Sequence, residues 1–220
     1  MGDTGVFVAE LREFVSRELA RLDLLKDDET GSASLPEVIR RLKVALRNEL
    51  EAAELAALWV PSTPEVDVKL ALARQAGDEA RHYHLIEKHI ASLGGDLTDF
   101  NPAADGYGPM FNLLRGFSST VERLAGAHFT REALALKKNE QFIEFCERAG
   151  ARDTADLYRT HIQPDEGWHV DIGDRFLTRY AVSSEDQEKA RRAVEAVLDL
   201  AVRVQRKQFQ ELKLSHAPGC

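Results

Sequence analysis

The chain has 220 residues, long enough for one domain spanning residues 1–220 with a sizeable core. With 44% hydrophobic and 30% charged residues, 7 Pro and 14 Gly, it is neither disordered nor collagen-like. A net charge of −8 and no dense Lys/Arg stripe argue against nucleic acid as a partner. Two cysteines, Cys146 and Cys220, cannot build a disulfide framework or a Cys-rich metal module, so a reducing, cytoplasmic setting is expected. No apolar leader and no 18-residue apolar run occur, and no membrane association is expected.

Apolar residues recur at helical spacing and nowhere alternate with period two, which predicts an all-α protein. A first helix over about residues 6–25 carries Val8, Leu11, Phe14, Val15 and Leu19 on one stripe. A second covers about 35–59. The segment Val-Pro-Ser-Thr-Pro-Glu then supplies a stop, a cap in Ser62 or Thr63, and Pro64 at a helix start. The third, about 64–93, ends at Gly94-Gly95. Residues 96–117 are loop-rich and read as a long crossover or a lid. Three more helices follow over about 118–149, 154–179 and 184–214, the fifth containing Pro164 and the sixth opening on the capping series Ser-Ser-Glu-Asp.

Two segments share one pattern: Asp78-Glu79-Ala80-Arg81-His82 and Asp165-Glu166-Gly167-Trp168-His169, 87 residues apart. A single DExxH is expected by chance about 0.05 times in such a chain, so two copies on similar helices are a strong signal. Residues i and i+3 share a helix face, so Glu79 with His82, and Glu166 with His169, can each reach one metal ion. Oxygen and imidazole donors suit iron or manganese. Both pairs lie in the apolar stripe rather than on the wet face. Two more glutamates share that setting: Glu49, whose helical neighbours are Leu42, Ala45, Leu46, Ala52, Ala53 and Ala56, and Glu132, flanked by Ala125, His128, Phe129, Ala135 and Leu136. Buried carboxylates need neutralisation, and four of them balance two divalent cations. Glu122 and Glu140 are weaker choices.

With 28 residues between Glu49 and the first motif and 32 between Glu132 and the second, the pattern resembles the ferritin-like di-iron carboxylate proteins, particularly bacterial non-haem di-iron monooxygenases. The resemblance covers residues 35 to about 180. It implies an up-down four-helix bundle around a central dinuclear site, with an added helix at each end. It further implies Glu49 and His82 as terminal ligands of one metal, Glu132 and His169 of the other, and Glu79 and Glu166 as bridges. Asp78 and Asp165 would each orient a histidine of the partner helix. From its place one turn before Glu132 on nearly the same face, His128 is read as a hydrogen-bonded neighbour of the ligands or a core histidine, with an extra ligand as the alternative. Two Fe ions, or Mn in their place, would activate O2 to oxidise a small organic substrate. Electrons would come from a separate reductase or ferredoxin, because the chain carries no nucleotide fingerprint. The alternative is a ferroxidase or a peroxide-handling protein without a rubredoxin module. Trp168 stands where the family usually has Arg, and Gly167 with Pro164 is expected to bend or bulge the fifth helix.

The remaining candidates take ordinary roles. His84 and His89 are expected at the surface or in packing, His161 to point away from Glu166, and His216 to lie in a polar tail. Tyr83, Tyr158 and Trp168 are read as packing aromatics, and Cys146 as core filler. Apolar helix faces at both ends suit a homodimer.

Overall fold

The computed structural model describes residues 4–23, 33–212 and 218, and for 23 and 208–212 the backbone alone; among these residues every regular element is a helix. Helix α1 is Thr4–Asp23, α2 Leu35–Ser62, α3 Val66–Ser92 and the short α4 Pro109–Leu114. Helix α5 is continuous through Thr120–Arg123, a π-helical stretch Leu124–Arg131 and Glu132–Arg148. Helix α6 likewise joins Arg152–Leu157, a π turn Tyr158–Ile162 and Gln163–Tyr180, and α7 is Ser184–Leu212. Residues 24–25 and 213–214 of the expected helices, with His216 and Cys220, lie outside the described residues.

Besides a small apolar cluster of Leu22, Leu134 and Ala201, two large ones make most of the core. One gathers Leu55, Trp59, Leu72, Leu124, Phe129, Ile172 and Phe176 with side chains of α1 and α7; the other gathers Val38, Leu42, Leu46, Ile86, Ile90, Phe142, Tyr158 and Ile162. The order in which each helix meets them fixes its direction. Helices α2 and α6 run from the second cluster to the first, whereas α3 and α5 run from the first to the second. Strict up-down alternation therefore does not hold: α3 and α5 point the same way, and the chain between them must travel the length of the bundle.

Of the two expectations for residues 96–117, a long crossover or a lid, the chain follows the crossover. Leu97 and Phe100 pack on the second cluster, Phe111 and Leu114 enter the first, and the strand of chain between them is tied to the outer side of α2. Lys43 Nζ donates to the Asp96 carbonyl (2.7 Å), Arg47 to that of Gly106 (2.7 Å), and the Gly108 amide donates to Glu51 (2.8 Å). A Cβ on Gly108 would stand 3.1 Å from that carboxylate.

Helix α2 overruns its expected end by one turn. Pro61 is tolerated in the last turn, and Ser62 and Thr63 turn their hydroxyls back onto the Trp59 carbonyl instead of capping α3. The distortion expected beside Pro164 appears one turn earlier, as the π turn Tyr158–Ile162 that lets the ring lie at the start of the α-helical stretch.

Gly77 and Gly167 sit inside helices with no atom within 4 Å of a built Cβ. Each therefore carries the entropic penalty of helical glycine with no steric reason for it. Gly167→Ala and Gly77→Ala are expected to stabilise the protein by about 0.5–1 kcal/mol each, read as a rise in thermal midpoint.

Candidate metal centre

Between the two apolar clusters lies one polar layer, and four helices supply it: Glu49 from α2, Glu79 and His82 from α3, Glu132 from α5, and Glu166 and His169 from α6. All six side chains are fully buried. They form two quartets, Glu49, Glu79, His82 and Glu166, and Glu79, Glu132, Glu166 and His169, in each of which one donor atom per residue lies within 4.8 Å of the others. Glu79 and Glu166 belong to both.

The imidazoles are aimed. His82 Nδ1 faces inward, 3.2 Å from Glu79, 3.4 Å from Glu49 and 3.8 Å from Glu166. His169 Nδ1 lies 3.3 Å from Glu166 and 3.6 Å from Glu79. Each Nε2 turns outward to an aspartate of the opposite motif: His82 to Asp165 Oδ2 at 3.1 Å, His169 to Asp78 Oδ2 at 3.5 Å. A proton on Nε2 leaves the Nδ1 lone pair directed at the carboxylates, the orientation a metal ligand needs.

Each aspartate is in turn held by an arginine of α3. Arg81 pairs with Asp165, and Arg74 with Asp78 at 3.3 Å. Trp168, at the place where the first motif has Arg81, lies under the Arg74 guanidinium, whose carbon is 3.4 Å from the ring centre. The departure from the motif is thus compensated: the guanidinium that backs Asp78 comes from one helical turn earlier on α3.

Burial pushes the Glu49 carboxyl up to about 8 and, with the charge of Glu79, Glu166 up to about 7. Burial also opposes charge on the histidines, yet the contacts with Glu49 and Glu79 raise His82 to about 12, and those with Asp78 and Glu166 raise His169 to about 11. Burial works against Glu79 as well, but its two imidazolium neighbours hold its carboxyl low. Protons thus supply the counter-charge that cations would supply. Both oxygens of Glu49 are buried without a hydrogen-bond partner among the described residues, and such oxygens could serve as ligands to a cation.

Several neighbours were not foreseen from sequence. Gln75, buried on α3 one turn before Glu79, donates from Nε2 to Glu132 Oε1 at 2.7 Å and lies 3.4 Å from Glu79 Oε1. Arg131 reaches Glu132 Oε1 at 3.4 Å. Their signal was present: polar residues on the apolar faces of α3 and α5.

His128 lies in the π-helical stretch, buried, with neither ring nitrogen hydrogen-bonded, and belongs to neither quartet. Burial pushes it down to about 4, so it is a neutral imidazole. Gly173 of α6 makes its position possible, since a Cβ there would stand 2.7 Å from the Phe129 nitrogen and 2.9 Å from the His128 carbonyl carbon.

The other candidates stand apart. Glu122 closes a capping box with Ser119, and Glu140 is exposed beside Lys137. His84 and His161 are exposed, His89 bonds to Thr154 at 2.8 Å, and Tyr158 packs edge-on against Phe142. Cys146 is buried, and its thiol is pushed up to about 12 by burial. No helix among the described residues is long and apolar enough to cross a membrane.

A family model described as "Protein of unknown function (DUF455)" matches residues 42–215, a span that holds the whole polar layer. No curated protein and no solved structure matches the chain.

Proposed function

The chain belongs to the DUF455 family of proteins of unknown function, and from its polar layer we propose that it is a ferritin-like dinuclear metalloenzyme that uses two iron ions and O2 to oxidise a small organic substrate. The observation that carries this reading is the pair of buried quartets sharing Glu79 and Glu166. Shared carboxylates between two imidazole-bearing positions are what a bridged metal pair requires, and the oxygen-rich donor set suits iron, or manganese in its place. Iron bound there would supply redox electrons and Lewis acidity to O2.

The protein's own groups do the rest. Asp165 accepts a hydrogen bond from His82 Nε2 and holds that imidazole in one tautomer, and Asp78, 3.5 Å from His169 Nε2, faces the second imidazole in the same way. The apolar clusters above and below the layer keep water from the reacting atoms. Electrons would arrive from a separate reductase or ferredoxin. Helix α7 packs on the π-helical stretch of α5, and α1 lies on α6 and α7, so this flank of the bundle is covered within one chain. A covered flank disfavours the cage assembly of an iron store, and this favours an organic substrate over iron itself.

The test is anaerobic loading with Fe(II), metal counting, and absorption and O2 uptake on exposure to air. Two ions per chain, an oxo-bridged absorption signature and O2 uptake that depends on an added organic compound are expected. Rapid Fe(II) oxidation with mineral growth would replace this reading by the ferroxidase one, and absence of bound iron or manganese would end both.

Loading must also displace protons. His82 and His169 are cationic and Glu49 largely protonated at neutral pH, whereas ligation needs neutral imidazole and ionised carboxylate. Binding two ions at pH 7 is expected to release about three protons, so the overall binding constant rises about a thousandfold per pH unit. Calorimetry of Mn(II) binding in two buffers of different ionisation enthalpy reads the number directly; release of less than one proton contradicts the assignment.

A further inference from the structure

The two metal positions are not equivalent, and the sequence repeat shows where they part. Displaced by 87 residues, Asp78, Glu79 and His82 superpose on Asp165, Glu166 and His169, but Gln75 superposes on Ile162. Gln75 is buried and its amide nitrogen donates to the terminal carboxylate Glu132 at 2.7 Å. Ile162 is equally buried and has nothing to donate. The terminal carboxylate of the other quartet, Glu49, correspondingly has no hydrogen bond on either oxygen among the described residues.

Resting on the dinuclear reading above, we propose that Gln75 is a positioning residue for one metal position only: by holding Glu132 Oε1 it orients that carboxylate toward the ion shared with His169, while Glu49, whose Oε2 faces His82 Nδ1 at 3.4 Å, has no amide donor of this kind. The two positions would then differ in how firmly their terminal carboxylate is oriented: Glu132 is held by a buried amide donor, and Glu49 has no counterpart to it.

Because each quartet has its own histidine, the two positions can be measured separately. In His82→Ala protein the Glu132 and His169 position is read alone, and in His169→Ala protein the Glu49 and His82 position. Adding Gln75→Met, which keeps the side-chain length and removes the donor, is expected to weaken anaerobic Mn(II) binding about 10- to 100-fold in the first background and less than about threefold in the second. Equal losses in both backgrounds, or none in the first, overturn the inference. Should the Met variant not fold, Gln75→Asn makes the same comparison, since its amide stops one methylene short of Glu132. Absence of Mn(II) binding in the otherwise wild-type protein would instead defeat the dinuclear reading itself, so the two failures are distinguishable.

Discussion

Replacing Glu79 with alanine is expected to abolish metal-linked stabilisation altogether, because this one carboxylate serves both quartets. In the wild-type protein, free metal at a hundredfold excess over its dissociation constant adds about 2.7 kcal/mol for each occupied position. For a chain of this size each kcal/mol moves the thermal midpoint by about 2–4 °C, so full loading raises it by about 10–20 °C. Glu79→Ala takes a ligand from each ion and the bridge from between them, and the rise should fall below about 3 °C. Glu79→Gln preserves the volume of the side chain and should lose the same stabilisation, which separates ligation from packing. Melting each protein with and without Mn(II) makes the comparison, and a rise in either variant as large as in the wild type would remove Glu79 from the site.

Gly173→Ala is expected to be the most damaging single-methyl change in the bundle. Its new Cβ would meet the backbone of α5 at 2.7 Å and 2.9 Å, and main chain cannot swing aside as a side chain can. A destabilisation of about 3 kcal/mol, the upper end of ordinary overpacking, corresponds to a midpoint lowered by about 6–12 °C. The same substitution at Gly167, six residues earlier on the same helix, should stabilise. A pair of opposite shifts on one helix cannot arise from helix propensity, which has the same sign at both places. Amide exchange should quicken across Leu124–Arg131 in the Gly173 variant alone, and a stabilised Gly173→Ala protein would show that α6 does not hold the π-helical stretch in place.

Much of this architecture is legible in the sequence because burial of acid is so costly that it leaves a mark. Glu49 and Glu132 stand out from Glu51 and Glu140 by the apolar neighbours one turn away, and the structure brings both to the same layer as the two DExxH motifs. What escapes such reading is geometry that does not change composition. A π-helical stretch has the same residue types as the α-helix around it and disturbs the apolar period over only two turns, so nothing marked Leu124–Arg131. Helix direction is equally silent in periodicity, and only the two clusters reveal that α3 and α5 are parallel. Gln75 was visible as a polar residue on an apolar face, and comparison of the repeats position by position, rather than motif by motif, would have singled it out. Trp168 was noticed as a departure, but its answer in Arg74 lies four residues outside the motif and depends on how two helices face each other.

Glu49, Glu79 and His82 precede the crossover and Glu132, Glu166 and His169 follow it, yet each quartet draws from both sides. A ribosome that has released only the first ninety residues has therefore made no complete position for either ion. Any cation these donors took up would find a full set of four only after the second helical pair has closed onto the first.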